Sequence, residues 1–154
     1  MKKSIALFGG SYFNTIEYNE FKETIQVFNS EYLTLATTYN VSNYTFYDKP
    51  ISYHYEFIKN LVQFINVDEA ILAFGDYEAL LDSNENLVFV NNFKRVFNDI
   101  VALLVEKGIA VRIRLLKEDN KIKIALNKAM LEVLDNNLKL ESRKEKLSYS
   151  LCLI

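Results

Sequence analysis

Two apolar runs, Ser4-Ile5-Ala6-Leu7-Phe8 and Ala70-Ile71-Leu72-Ala73-Phe74, each stop on glycine, at Gly9-Gly10 and at Gly75-Asp76. A short apolar run without alternation, closed by a turn former, is the pattern of a strand buried on both faces. Strands of that kind belong to parallel sheets covered by helices on both sides. This pair therefore narrows the fold more than any other feature of the chain.

Between and after the two runs the spacing turns helical. Tyr55, Ile58, Leu61, Val62 and Ile65 follow Pro50, and Phe93, Val96, Phe97, Ile100, Val101, Leu104 and Val105 lead up to Gly108, which reads as a C-cap. Ile122, Leu126, Met130, Val133, Leu134 and Leu138 predict a long helix over 121–140. A hairpin pairing 111–115 with 122–126 competes with it. Phe21, Ile25 and Phe28 predict a helix over 17–28, capped by Asn14 or Thr15. Strands are expected at 32–39, where a continued helix is the alternative, and at 44–47, 87–90, 109–116 and 147–154; residues 77–81 read as a helical turn or a strand. Strands alternating with helices predict an α/β fold, a Rossmann-like three-layer sandwich with a mainly parallel sheet of about five strands in one domain over 1–154.

At 154 residues, half of them apolar, the chain is long enough to bury a proper core. Its net charge of −2 supplies no basic field, which argues against general nucleic-acid binding. The single cysteine, Cys152, allows no internal disulfide, and with one histidine it builds no Cys/His zinc site; a carboxylate site for magnesium stays open. No stretch approaches the roughly 18 apolar residues of a membrane span, so a cytoplasmic protein without a membrane partner is expected. The apolar C-terminal strand must pair with the sheet or with another chain, which leaves a homo-oligomer open.

In parallel sheets ligands bind beyond the carboxyl ends of the strands, near the reversal of strand order. The segments 9–16, 75–77 and 114–120 are expected on that edge. If a helix follows Gly9-Gly10-Ser11 directly, backbone N–H groups and the helix dipole converge there on an anion, while the plain alternative is a sharp turn. Asp76 reads as a turn former, His54 as a surface histidine, Cys152 as inert core, and Glu17, Glu20 and Glu23 as a solvated helix face. One histidine supports no Ser–His–Asp arrangement.

Lys3 to Ser11, followed by Phe13-Asn14-Thr15-Ile16-Glu17-Tyr18-Asn19-Glu20-Phe21, resembles the opening of the adenylyl- and cytidylyltransferases that include the phosphopantetheine and nicotinate-mononucleotide adenylyltransferases. Val27 to Thr38, Lys49-Pro50, Ile113 to Lys117 and Leu126 to Leu131 extend the resemblance. It implies a 3-2-1-4-5 parallel sheet, often in oligomers, and a nucleotide or phosphorylated small molecule as ligand. Gly9, Gly10, Ser11, Lys49, Asp76, Arg114 and Lys117 are then the candidate ligand-binding residues. The family's His-x-Gly-His box reads Glu17-Tyr18-Asn19-Glu20 here, and Leu115 stands where the family has glycine. The resemblance thus implies a degenerate active site with reduced or no catalysis. For any activity that remains, with ATP or CTP, Mg²⁺ held by Glu17 and Glu20 has to stand in for the missing histidines. The alternative is a non-catalytic interaction or regulatory domain working through its C-terminal strand or an aromatic surface at Tyr44–Tyr55. A palm-type cyclase, which requires an antiparallel four-stranded sheet, or a metal-dependent nuclease comes third.

Overall fold

A computed structural model describes residues 2–10, 14–19, 23–28, 30–46, 48–81, 86–138 and 147–150. The elements are β1 (Lys3–Gly9), β2 (Asn14–Asn19), β3 (Glu23–Phe28), α1 (Ser30–Thr38), β4 (Tyr39–Thr45), α2 (Ile51–Leu61), β5 (Glu69–Ala73), α3 (Asp76–Leu81), α4 (Leu87–Glu106), β6 (Ala110–Arg114), α5 (Lys121–Leu138) and β7 (Leu147–Ser150). Four parallel strands run β4-β1-β5-β6, and the short β7 adds to the β6 edge, also parallel.

The alternation of side chains across the sheet explains why both apolar runs lack polar residues. Ala6, Phe8, Ala70, Leu72, Val111 and Ile113 face one way, into a core closed by Ile51 and Ile58 of α2, Phe93, Phe97 and Ile100 of α4, and Ile122, Leu126 and Met130 of α5. Ile5, Leu7, Ile71 and Ala73 face the other way, against Tyr32 and Leu35 of α1. Helices on both faces make the expected α/β sandwich, and the all-parallel pairing excludes the palm.

Within the sheet the strands stand in the sequence order 2-1-3-4-5, not the 3-2-1-4-5 that the nucleotidyltransferase resemblance implies. Three element assignments also change. The expected helix over 17–28 is an antiparallel hairpin of β2 and β3, in which Glu17 stands opposite Ile25. The run Thr24-Ile25-Gln26-Val27-Phe28 carries three β-branched residues, Thr24, Ile25 and Val27, and that preference overrides three apolar residues at helical spacing. The expected strand at 32–39 is α1, whose Tyr32 and Leu35 lie one turn apart on the sheet, and the strand beyond it covers 39–45 rather than 44–47. The strand expected at 87–90 is the start of α4. There Asn86, in extended conformation, accepts the Phe89 N–H at 3.2 Å and caps the helix.

Gly108, with φ of +84°, ends α4, α5 excludes the competing hairpin, and β7 pairs with the protein's own sheet. Among the described residues no helix is long and apolar enough to cross a membrane.

Candidate functional site

β1 leaves the sheet through a turn that only glycine permits. Gly9 has φ of +127°, and a Cβ there would lie 2.0 Å from the Ala73 carbonyl oxygen. The Gly10 N–H donates to that same Ala73 oxygen at 3.0 Å, and the Gly9 carbonyl accepts from Phe46 N–H at 2.9 Å. The glycine pair thus ties the carboxyl ends of β1, β4 and β5 together. Its Gly10 amide is already used, and the next described element is a strand, so among the described residues no helix N-terminus follows the turn.

Beyond this turn lies a pocket of about 80 Å³. It is lined by Gly10, by Phe46, Asp48 and Lys49 after β4, by His54 of α2, and by Phe74 to Glu78 and Leu80 after β5. Because β1 connects first to β4 on one side and then to β5 on the other, the pocket straddles the reversal of strand order, where doubly wound sheets bind ligands.

Two of its side chains are buried and ionisable. His54 is 3% exposed, beside Phe74 at 5.2 Å and Phe46 at 6.1 Å between ring centroids. Burial pushes its imidazole down to about 4, a hydrogen bond to the Lys49 carbonyl opposing, so the ring is neutral at pH 7. Glu78 is 5% exposed, and burial pushes its carboxyl up to about 7. Its Oε1 accepts the Ile51 N–H at 3.1 Å, while Oε2 is buried without a hydrogen-bond partner among the described residues. The first N–H groups of α2 have no partner inside the helix, and Pro50 offers no side-chain cap, so Glu78 fills that role from across the pocket. Burial also raises the Asp76 carboxyl, partly offset by Lys123.

Of the residues singled out from sequence, Gly10, Lys49 and Asp76 line this pocket, and Gly9 forms the turn behind it. The Lys49 ammonium sits 5.0 Å over the Tyr53 ring. Arg114 ends β6 on the same edge of the sheet, buried, and Lys117 is exposed on the following loop; neither lines the pocket. Ser11 and Glu20 lie outside the described residues, as does Cys152, and Glu17 belongs to β2 rather than to a helix. Among the described residues no group of three or more His, Cys, Asp or Glu could hold a metal ion.

His54 is a correction, since it is core-facing and not on the surface. The spacing Ile51, His54, Ile58 puts it on the buried stripe of α2, a signal that the weight given to Tyr55 obscured. Glu78 carries no local signal, because its partner Ile51 is 27 residues away. The aromatic residues around Tyr44 turn inward, with Tyr44 stacked on Phe8 at 5.4 Å and Phe46 edge-on to Phe57 at 4.7 Å.

No protein-family model and no curated protein matches the sequence. Solved structures share the fold. A salicylyl-acyltransferase, SsfX3, from a tetracycline biosynthetic pathway superposes with a TM-score of 0.64 at 12% identity, over 98% of this chain and 43% of its own. A mutant of the esterase AlinE4 gives 0.64 at 13%, over 96% and 75%. A family 3 carbohydrate esterase of Clostridium thermocellum gives 0.64 at 12%, over 98% and 78%. The chain thus spans less than half of the acyltransferase and about three quarters of each esterase.

Proposed function

We propose that this chain acts on small acyl esters, by hydrolysis or transfer, at the pocket beyond β1. The carrying observation is that one pocket at the reversal of strand order gathers Gly10, His54 and Glu78. The likeness in fold to an acyltransferase and two esterases agrees with this reading.

Acyl transfer needs a nucleophile and a group that takes and returns a proton near the working pH. Ser11 follows Gly10 in the chain and is the nucleophile of this proposal. Glu78, titrating at about 7, is the base. Its carboxylate takes the Ser11 proton as the serine oxygen bonds to the acyl carbon, then gives that proton to the departing alcohol. Water, or an acceptor alcohol, releases the acyl group from Ser11 by the same steps.

A phosphate-bearing ligand such as a nucleotide is the second reading. Lys49 at the pocket mouth favours it, whereas Asp48, Asp76 and Glu78 in the same lining oppose an anion. The deciding experiment is hydrolysis of p-nitrophenyl acetate by the full chain beside its Ser11→Ala and Glu78→Gln forms. Turnover should fall about 100-fold or more in both variants. Undiminished turnover in Ser11→Ala sinks the esterase reading. Absent turnover in the parent chain, with a thermal midpoint raised by Mg²⁺-ATP, replaces it with the nucleotide reading.

A further inference from the structure

We infer that the inner end of the pocket takes a primary ammonium group, held by the Glu78 and Asp76 carboxylates beside Phe46 and Phe74. The inference rests on the pocket being the substrate site, and it makes the substrate an ester that carries an amine, whose ammonium binds Glu78 Oε2 while Oε1 keeps the role of base towards Ser11.

The first support is an acceptor without a donor. Glu78 lines the pocket, is buried, and satisfies Oε1 with the Ile51 N–H, yet Oε2 has no partner among the described residues. Buried carboxyl oxygens are rarely left so, and a ligand N–H completes the set. The second is charge. Asp48 and Lys49 stand exposed and adjacent at the mouth, where their charges offset, and Lys49 is turned to Tyr53. Deeper in, the described lining holds Asp76, Glu78 and a neutral His54, with no lysine or arginine. Lys123 of α5 acts on Asp76 from outside the lining and pairs with Asp119 at 3.1 Å. The third is the aromatic wall of Phe46 and Phe74, which attracts a cation more than a neutral donor. The cation of this inference is organic, and about 80 Å³ keeps it small.

Ethylammonium chloride, ethylene glycol and sodium acetate are the probes, with sodium chloride as the ionic-strength control. Thermal midpoint and proton release at pH 7 in lightly buffered solution are the readouts. Ethylammonium should raise the midpoint with concentration and displace protons from the half-protonated Glu78, while glycol and acetate do neither. Glu78→Gln should abolish the proton release, and Asp76→Asn should weaken binding about tenfold. An equal response to glycol, a response to acetate, or no midpoint shift and no proton release with ethylammonium overturns the inference. Should Glu78→Gln not fold, the parent chain and Asp76→Asn still decide. Neither readout needs turnover, so failure here beside intact ester hydrolysis removes the ammonium group and leaves the esterase reading standing.

Discussion

Glu78 and His54 answer burial in opposite directions, and the pH dependence of stability follows from that opposition. Glu78 titrates at about 7 in the folded chain against an ordinary 4.5, so the stability it contributes is fully present below pH 4.5 and is lost as pH rises through 7. His54 is shifted from 6.5 down to about 4, so its contribution is present above pH 6.5 and is lost as pH falls through 4. Between 4.5 and 6.5 the two slopes offset each other. Urea unfolding at pH 5, 6, 7 and 8 separates them. Glu78→Gln leaves the histidine slope, so stability falls as pH drops from 7 to 5. His54→Gln keeps a donor for the Lys49 carbonyl but leaves the carboxyl slope, so stability rises over the same range. Two variant profiles parallel to that of the parent chain contradict the assignment.

The loop from β6 to α5 braces the far side of the pocket through one buried side chain. Asn127 of α5 accepts the Leu116 N–H at 2.8 Å and donates to the Leu116 carbonyl at 2.8 Å. Leu116 in turn packs against Gly75, where an added Cβ would lie 2.8 Å from its Cδ1. Asn127→Ala strands two buried backbone groups and should cost about 3 kcal/mol, roughly 6 to 12 °C in thermal midpoint. A loss below about 0.5 kcal/mol, the range of an indifferent surface change, contradicts the brace. Elements with strong periodicity or a clear stop were legible in the sequence: β1, α2, β5, α4 and α5 all stand where their apolar patterns put them. α1, β2 and β3 were not, because in short elements a few apolar residues fit both periods, and pairing or burial against the sheet decides. Likewise the Asn86 cap opens a helix at Leu87-Val88-Phe89-Val90, strand-like by composition, and Phe89 and Val90 pack against the core from its first turn.

At the scale of the whole molecule, the apolar runs correctly foretold a parallel sheet with its loops on one edge, and that edge carries the pocket. The partners within the site were less legible, since strand order cannot be read from periodicity. Under the observed order β1 adjoins β4 and β5, so residues after those strands meet Gly10, while Arg114, on the far side of β5, stays outside. The central claim is that acyl chemistry takes place where β1 leaves the sheet. Labelling of the full chain with a serine-reactive fluorophosphonate, located by peptide mass spectrometry, tests it most directly. The account predicts one modified residue, Ser11, with labelling slowed in Glu78→Gln and absent in Ser11→Ala. A chain that stays unlabelled, or carries the label at another residue with Ser11 untouched, contradicts it.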